Sequence, residues 1–449
     1  MNIMGNQKKN VRDAALDVIE AVEKNQSYSN LLLNHAIERN KLEGPDVGLL
    51  TEIVYGTIQR KLTLDYYLNP FLKNRKKLEG WVLNLLRLSL YQIVYLDKIP
   101  ERAAIYEAVE IAKKRGHKGI SSMVNGVLRN LQRKGIPSMD EIKDPIERIS
   151  IETSNPYWLT ERWVEMFGLD KTMEMCKANL IAPNQTVRVN TTKISRDELV
   201  RILNEEGFVV EKSPLLPEAI QSLRGNVAHS DAYKQGLCTI QDESSMMVAY
   251  ALQLEDQLNV LDACAAPGGK STHIAEKLHG TGNVVSLDLH EHKVKLIVQN
   301  AKRLGLENIA GHTLDSRKVQ EKFKEGTFDR ILVDAPCSGL GVLRRKPDIK
   351  YSKKASDIQA LQKIQHAILD AVAPLLKKDG ILVYSTCTVD QWENEKAVQD
   401  FLDSHSDFEP IALSNLPEPV HPFANGHQMQ IFPQDFGGDG FYIASVSKK

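Results

Sequence analysis

The sequence has few cysteines and none at the spacing of a metal site. Its five cysteines, at positions 176, 238, 264, 337 and 387 of 449 residues, form no C-x-x-C motif. So few cysteines in a chain this long do not form a disulfide framework, and a structural zinc site is not expected. The sequence therefore predicts reduced thiols, no bound metal and a cytoplasmic location.

Long apolar segments are also missing. The most apolar stretch, residues 81–96, contains Asn84, Arg87 and Gln92. It is too short and too polar to span a bilayer, so it predicts a buried core helix and no membrane partner. Segment 1–10 is polar and no apolar run follows it, so no secretory signal is predicted.

The glycine motifs of two common nucleotide sites are incomplete. G-x-G-x-x-G is absent, and Gly269-Lys270-Ser271 matches only the end of a phosphate loop. Cys264 stands where that loop requires its first glycine. These absences disfavour NAD and nucleotide triphosphates, and a P-loop nucleotide hydrolase is the disfavoured alternative.

Charge is distributed unevenly along the chain. Residues 1–140 carry 22 Lys and Arg against 15 Asp and Glu, whereas the remainder carries 35 against 43. A basic front part favours contact with a polyanion. A merely solvated surface explains the same charges equally well.

Periodicity predicts three domains. Residues 1–140 show helical spacing throughout, residues 150–235 mix a strand with a capped helix at Ser195, and residues 236–449 alternate strands with helices. The expected fold is an all-α front domain, a small α+β connector, and an α/β Rossmann-like domain with a mostly parallel sheet. The strands predicted for this last domain are 259–263, 283–287, 308–314, 330–333, 381–384 and 441–446.

A turn of small residues follows the first of these strands. Small side chains let backbone N–H groups approach a ligand, and Asp288 lies 20 residues after Gly268, where a carboxylate usually binds ribose hydroxyls. The pattern predicts an adenosine-type cofactor, the alternative being a turn that only packs a helix on the sheet. The residues of the turn are Cys264, Ala265, Ala266, Pro267, Gly268, Gly269 and Lys270.

Two cysteine motifs each follow a predicted strand. They are Asp334-Ala-Pro-Cys337-Ser-Gly and Ser385-Thr-Cys387-Thr. Groups just past the carboxyl ends of parallel strands line the ligand crevice of such a sheet. Two thiols in one crevice indicate chemistry that makes and later breaks a bond to sulfur, as C5 methylation of a pyrimidine requires. The alternative is that each cysteine is a small buried hydrophobe.

The back half resembles the Nol/Nop/Sun-type RNA cytosine-C5 methyltransferases, which use S-adenosylmethionine. These motifs and Asp439-Gly-Phe occur here in the same order as in that family. The front part resembles the NusB-type RNA-binding domain, notably at 52–57 and 122–129. The combination is the layout of RsmB-type 16S ribosomal RNA methyltransferases. The resemblance implies 16S ribosomal RNA as partner, and no obligate protein partner is expected.

The resemblance also implies roles for single residues. Cys387 would be the nucleophile and Cys337 would assist product release, although DNA cytosine methyltransferases instead attack with the cysteine that corresponds to Cys337. Asp334 would contact the target base near the cofactor methyl. Asp315 would hold the adenine amine, and Lys270 would act on the base or position the loop.

Two assignments complete the expected cofactor site. Asp288 would bind the ribose, and Cys264 would contribute its backbone while its side chain only packs. Arg344, Arg345 and Lys346 follow the Cys337 motif and are candidates for phosphate contacts, a solvated loop being the alternative.

Two rival functions stay open at this point. One is a transfer-RNA cytosine-C5 methyltransferase of the same superfamily. The other is an RNA-binding antitermination factor whose methyltransferase fold has decayed, against which the intact cysteine pair and cofactor loop argue.

Overall fold

The computed structural model describes residues 10–25, 29–73 and 75–449. The front part of the chain forms helices whose apolar residues lie three and four positions apart. The stretch 81–96 forms α5 and is buried as predicted, with Leu85, Leu86 and Leu90 fully removed from solvent. The helices are α1 (Val11–Asn25), α2 (Ser29–Asn40), α3 (Pro45–Gln59), α4 (Lys61–Leu68), α5 (Gly80–Tyr95), α6 (Glu101–Arg115), α7 (Lys118–Lys134), α8 (Pro145–Thr153), α9 (Tyr157–Phe167) and α10 (Leu169–Ala178).

The arginine of α5 lies inside the helical core with its own partners. Arg87 donates two 2.7 Å hydrogen bonds to the carboxylate of Asp65 and one to the side-chain oxygen of Asn84. A buried charge is tolerated only when it is paired and hydrogen-bonded. This network explains how an apolar core helix can carry Arg87.

Helices α8 to α10 pack with the front helices. The Thr63 hydroxyl donates to the Ile151 carbonyl, and the Leu62 amide donates to the Ser154 hydroxyl. The chain divides into two compact units, residues 1–181 with 343–353 and residues 182–342 with 354–449. The first unit thus extends beyond residue 140, because α8 packs against α4. The boundaries at 140, 150 and 235 stay predictions.

A small antiparallel sheet begins the second unit, with strand order β2-β3-β1-β4. The predicted helix cap is confirmed, since the Ser195 hydroxyl accepts from the Glu198 amide at the start of α11. The elements are β1 (Gln185–Val189), α11 (Arg196–Glu205), β2 (Val209–Lys212), β3 (Ala219–Arg224), α12 (Asp231–Lys234) and β4 (Cys238–Ile240).

A nine-stranded mixed sheet forms the rest of this unit. Its main order is β11-β12-β13-β9-β8-β5-β6-β7, with β10 beside β13, and the run from β9 to β7 is parallel. The elements are α13 (Glu243–Ala251), β5 (Asn259–Asp262), α14 (Gly269–Lys277), β6 (Asn283–Asp288), α15 (Glu291–Leu304), β7 (Ile309–Thr313), β8 (Phe328–Asp334), α16 (Ile349–Ser352, in the first unit), α17 (Ala355–Val372), β9 (Leu376–Thr386), α18 (Glu395–Ser404), β10 (Phe408–Pro410), β11 (Ala424–Asn425), β12 (Gln428–Ile431), α19 (Pro433–Phe436) and β13 (Phe441–Lys448).

The sequence predicted every parallel strand of this sheet and missed three short antiparallel ones. The six predicted strands correspond to β5, β6, β7, β8, β9 and β13. Strands β10 to β12 are only two to four residues long and carry little periodic signal.

Within the described part of the chain, no helix combines the length and the apolarity that crossing a membrane requires.

Candidate active site

The structure brings the two cysteine motifs together at the carboxyl ends of adjacent parallel strands. Strands β8 and β9 pair in register, with Asp334 opposite Ser385. The chain continues beyond each strand to a half-buried cysteine, and the sulfur atoms of Cys337 and Cys387 lie 3.4 Å apart. This is the crevice edge at which an open α/β sheet binds its ligands.

Close backbone contact holds the two cysteine loops against each other. The Gly341 amide donates to the Cys387 carbonyl at 2.9 Å, and the Gly440 amide donates to the Gly341 carbonyl at 2.8 Å. A Cβ atom at Gly341 would lie 1.9 Å from the Gly440 carbonyl oxygen, so this approach requires glycine. The hydroxyls of Ser338 and Thr388, each next to a cysteine, lie 2.9 Å apart.

Lys270 and Asp334 form an ion pair beside the thiols. The Lys270 Nζ lies 2.8 Å from Asp334 Oδ2, and the Ser385 hydroxyl donates to Asp334 Oδ1 at 2.8 Å. Burial acts to lower the pKa of Lys270, but the Asp334 carboxylate and the charge of Cys387 outweigh it and raise the pKa above its ordinary value. The site therefore keeps a positive charge that interacts with the Cys387 sulfur.

The predicted cofactor turn connects β5 to α14. Its Ala265 amide donates to the Leu287 carbonyl, and its Gly268 has φ of 103° and precedes the first residue of α14. A Cβ at Gly268 would meet the Ile297 backbone at 3.1 Å. The backbone of the turn thus lies at a helix N-terminus, where N–H groups are free to face a ligand.

Four carboxylates surround this turn. Burial, followed by the negative charges of Asp262, Asp334, Asp288 and Asp315, raises the pKa of the Cys264 thiol well above its ordinary value. A protonated thiol in this position is a packing group, which agrees with the role expected for Cys264. The carboxylates accept hydrogen bonds and attract a cation, so they suit a ligand that has hydroxyls, an amine and a positive charge.

The carboxylates differ in their protein partners. Asp288 ends β6 and accepts from the His290 amide at 3.0 Å. Asp315 caps the 3-10 helix Ser316–Glu321 and accepts from the Arg317 side chain, and this bond holds the pKa of Asp315 below its ordinary value. A ligand amine would therefore share Asp315 with Arg317.

Asp262 is a carboxylate of this site that the sequence analysis did not select. It is fully buried at the end of β5, and the Ser271 hydroxyl donates to its Oδ2 at 2.6 Å. Burial raises its pKa to about 7. Its place directly before the cofactor turn was the only available signal.

Arg188 is a second residue that sequence reasoning missed. It lies on β1 with no exposed surface and donates to the Gly269 carbonyl at 2.7 Å and to the Thr272 hydroxyl at 3.0 Å. The same guanidinium pairs with Glu276 of α14 at 2.9 Å. Arg188 thereby fixes the first two turns of the helix that the cofactor turn begins.

Three family models match the chain. "16S rRNA methyltransferase RsmB/F" matches residues 249–447, "NusB family" matches 9–133, and "Methyltr_RsmF/B-like, ferredoxin-like domain" matches 155–228. These matches confirm the predicted combination of a NusB-like helical front, a small α+β connector and a Rossmann-like methyltransferase domain.

Similar proteins match over nearly the whole length. A Bacillus subtilis protein named "Probable ribosomal RNA small subunit methyltransferase B" is 54% identical and the match covers 98% of this chain and 99% of that protein. An Escherichia coli "Ribosomal RNA small subunit methyltransferase B" is 33% identical, with the same coverage. The solved structure of PH0851 has a TM-score of 0.81 at 25% identity and covers 97% of this chain and 99% of its own. The chain therefore belongs to the RsmB/F family of 16S ribosomal RNA methyltransferases.

Proposed function

We propose that the protein transfers a methyl group from S-adenosylmethionine to C5 of a cytosine in 16S ribosomal RNA, through a covalent bond between Cys387 and C6 of the base. The observation that carries this proposal is the pair of thiols, 3.4 Å apart at adjacent strand ends, beside a lysine that keeps its charge. Membership of an S-adenosylmethionine-dependent family supports the cofactor.

Addition of a thiolate is the step that makes C5 reactive. C5 of cytosine is a weak nucleophile, and a Cys387 thiolate bonded to C6 turns C5 into an enamine-like carbon. The Lys270 ammonium stabilises this thiolate, because a nearby cation favours the charged form of a thiol. S-adenosylmethionine supplies an electrophilic methyl group when it is bound.

Release of the product reverses the addition. Loss of the C5 proton restores the ring double bond and breaks the bond between C6 and the Cys387 sulfur. Cys337 lies close enough to interact with that sulfur as it departs. The hydrogen bond with Cys387, followed by burial, raises the pKa of Cys337 well above its ordinary value, so Cys337 remains a thiol at neutral pH while Cys387 reacts.

Asp334 reads the target base in this proposal. Its carboxylate can accept from the exocyclic amine of cytosine, which uracil lacks. Ser385 and Lys270 hold both carboxylate oxygens in place, and Asp334 remains partly exposed to a ligand. The target base leaves any stack to reach this position.

The cofactor lies along the turn between β5 and α14 in this proposal. The backbone of residues 264–270 approaches it, Asp288 accepts from its ribose hydroxyls, and Asp315 accepts from its adenine amine. The side chain of Cys264 only packs. The four carboxylates around the turn match the donors and the positive charge of S-adenosylmethionine.

The NusB-like front and the names of the relatives favour ribosomal RNA over transfer RNA as the substrate. Such a substrate implies action in the cytoplasm. Methylation of transfer RNA in preference to 16S ribosomal RNA by the purified protein would overturn this part of the proposal.

The decisive variants are Cys387→Ala and Cys337→Ala. Cys387→Ala should abolish methylation and should form no adduct with RNA that contains 5-fluorocytosine, because no sulfur attacks C6. Cys337→Ala should still attack and should leave a slowly released covalent RNA adduct. Denaturing gels measure the adduct, and bisulfite sequencing measures 5-methylcytosine.

Cys176→Ala is the matched control, since Cys176 is a buried free cysteine of the first unit. It should behave like the unaltered protein. Full activity of Cys387→Ala together with an inactive Cys337→Ala would reverse the roles of the two thiols, as in DNA cytosine methyltransferases. Absence of any adduct through position 387 would overturn the covalent mechanism.

A further inference from the structure

A buried glutamate between Cys387 and α18 has no role in the mechanism so far. Glu393 lies six residues after the nucleophile and has no exposed surface. Acidic side chains are almost never fully buried unless other groups satisfy them. The partners of Glu393 therefore indicate what its burial achieves.

The Glu393 carboxylate binds the loop that carries the other cysteine. Its Oε1 accepts from the Ser338 amide at 2.9 Å, and its Oε2 accepts from the Ser338 hydroxyl at 2.5 Å. Gln365 donates to Glu393 Oε1 and to the Pro336 carbonyl, both at 3.0 Å. Glu393 thus holds Ser338 directly, and Gln365 links it to Pro336 on the other side of Cys337.

Glu393 is itself fixed to the strand that leads to Cys387. The Tyr384 hydroxyl donates to the Glu393 carbonyl at 2.7 Å, and Tyr384 is a buried residue of β9. The Glu393 amide donates to the Asp390 carbonyl at 3.1 Å. One residue therefore links the two segments: its backbone is bonded on the Cys387 side, and its side chain contacts Ser338 next to Cys337.

We propose that Glu393 is the positioning residue that keeps the Cys337 thiol beside the sulfur of Cys387 during product release. This inference rests on the proposed function. In the release step a water molecule takes the C5 proton, and the electron pair of the C5–H bond forms the C5–C6 double bond. The pair of the C6–S bond returns to Cys387, and the S–H of Cys337 donates a hydrogen bond to the thiolate that forms.

The electrostatic environment of Cys337 favours its protonated thiol form. After the hydrogen bond with Cys387 and burial, the negative charge of Glu393 further raises the pKa of Cys337. A donor must keep its proton, so a nearby carboxylate favours this role. Burial also raises the pKa of Glu393 itself, and a protonated Glu393 would still hold the Ser338 hydroxyl.

The test compares Glu393→Ala with Glu393→Gln in the full chain, with S-adenosylmethionine and an RNA fragment that contains cytosine. Glu393→Ala should accumulate the covalent adduct and slow product release by at least about 10-fold, because small misplacements of reacting groups can cost 10²-fold. Binding of S-adenosylhomocysteine, measured by calorimetry, should not change. Glu393→Gln keeps an oxygen that accepts from the Ser338 amide and from Gln365, and its NH2 group can donate to the Ser338 hydroxyl, so it should stay within about 3-fold of the unaltered protein.

The control is a glutamate in a similar setting far from the thiols in sequence. Glu243 is buried and accepts from the Ser213 hydroxyl and from Gln221. Glu243→Ala should lower stability without accumulating adduct. If Glu393→Ala gives no more adduct than Glu243→Ala, or if Glu393→Gln is as defective as Glu393→Ala, the inference is wrong.

Two further variants decide the question if Glu393→Ala does not fold. Ser338→Ala removes the hydroxyl that donates to Glu393, and Gln365→Leu removes the bonds to Glu393 and to the Pro336 carbonyl; both keep the carboxylate. Adduct accumulation in both supports the inference, and its absence in both overturns it. A 5-fluorocytosine adduct through Cys387 in the unaltered protein shows separately that the proposed function holds.

Discussion

Two lysines that are withdrawn from solvent, Lys270 in the second unit and Lys350 in the first, have opposite electrostatics. The side chain of Lys270 is 15% exposed and bonds the Asp334 carboxylate, and its pKa is raised. Lys350 is 1% exposed and donates to the Gln59 carbonyl at 2.9 Å, and burial lowers its pKa to about 7. A carboxylate partner preserves the charge of a buried amine, whereas a carbonyl partner does not.

In the proposed mechanism, Lys270 stabilises the Cys387 thiolate, so a lysine that stays charged is useful there. Lys350 has no part in that mechanism. Lys350 belongs to the segment Leu343–Lys353 and lies near Cys176, whose thiol is fully buried. At neutral pH this amine titrates, so the stability of the first unit depends on pH.

The largest expected effect comes from removing the partner of Lys270. Asp334→Asn should reduce methylation by at least about 10²-fold, since it replaces the carboxylate that we propose accepts from the cytosine amine with a weaker, neutral amide acceptor and removes the ion pair with Lys270. Without Asp334, burial acts on the pKa of Lys270 with less opposition and lowers it, so the remaining activity should fall more at alkaline pH than that of the unaltered protein. Rates of methyl transfer between pH 6 and 9 measure both effects.

Asp329→Asn is the control for this variant. Asp329 is a residue of β8 and pairs with Lys377 at 2.7 Å, toward the start of the strand that Asp334 ends. It should leave the rate and its pH dependence nearly unchanged. Intact methylation of cytosine by Asp334→Asn would contradict the role of Asp334 in reading the base.

A smaller effect is expected for Lys350→Met. Between the folded pKa of about 7 and the ordinary value of 10.5, the unfolded chain binds a proton that the folded chain does not. Stability therefore rises with pH across this window, by up to about 1.4 kcal/mol per pH unit, and the cost is constant below pH 7. Lys350→Met should remove this slope and stabilise the protein at pH 7 by roughly 1–4 kcal/mol.

Urea unfolding of both proteins at pH 7.5, 8.5 and 9.5 measures this difference. Lys363→Met, which changes an exposed lysine on α17, serves as the control and should not alter the slope. If the difference in unfolding free energy between Lys350→Met and the unaltered protein does not depend on pH, Lys350 is charged when buried and the contrast with Lys270 fails.

The smallest effect concerns two exposed lysines of the first unit. Lys73 and Lys77 line a hollow of the first unit together with Gly126 and Asn130 of α7. If they bind RNA phosphates, the double variant Lys73→Ala, Lys77→Ala should reduce the slope of log affinity against log salt by about 1–2. Filter binding at several salt concentrations measures the slope.

Lys396→Ala is the control here, because Lys396 is exposed but already paired with Asp400. An unchanged slope in the double variant would mean that the basic front surface is merely solvated. This outcome would leave the proposals for the two thiols untouched.

Local patterns predicted the elements and the placement of the thiols. The strands before Cys337 and Cys387 are apolar runs whose ends fix where the next residues lie, and Ser195 is followed by the glutamate that a helix cap favours. Glu393 and Arg188 could not be selected in this way. Their contacts join residues 55 and 88 positions apart in sequence and depend on how strands and helices pack.

The segment after the Cys337 motif was also beyond prediction. The phosphate contacts expected for its basic residues stay a prediction. Arg344 Nε donates to the Ile181 carbonyl at 2.8 Å within the first unit, a contact that the sequence did not indicate. No periodic signal distinguishes such a segment from a solvated loop. Two of its basic residues donate to carbonyls that are distant in sequence, Arg344 to Ile181 and Lys350 to Gln59 of α3.

The path of the chain at Leu343–Lys353 limits where the protein can be divided. The polypeptide leaves the methyltransferase unit just after the Cys337 loop, contributes α16 to the helical unit and returns at α17. An excised fragment that begins at residue 182 would expose Leu343 and Ile349 to water and would lose the carbonyl that Lys350 binds. Domain exchange or truncation at that point would therefore yield a fragment with a newly exposed apolar strip, prone to aggregate before its catalysis could be measured.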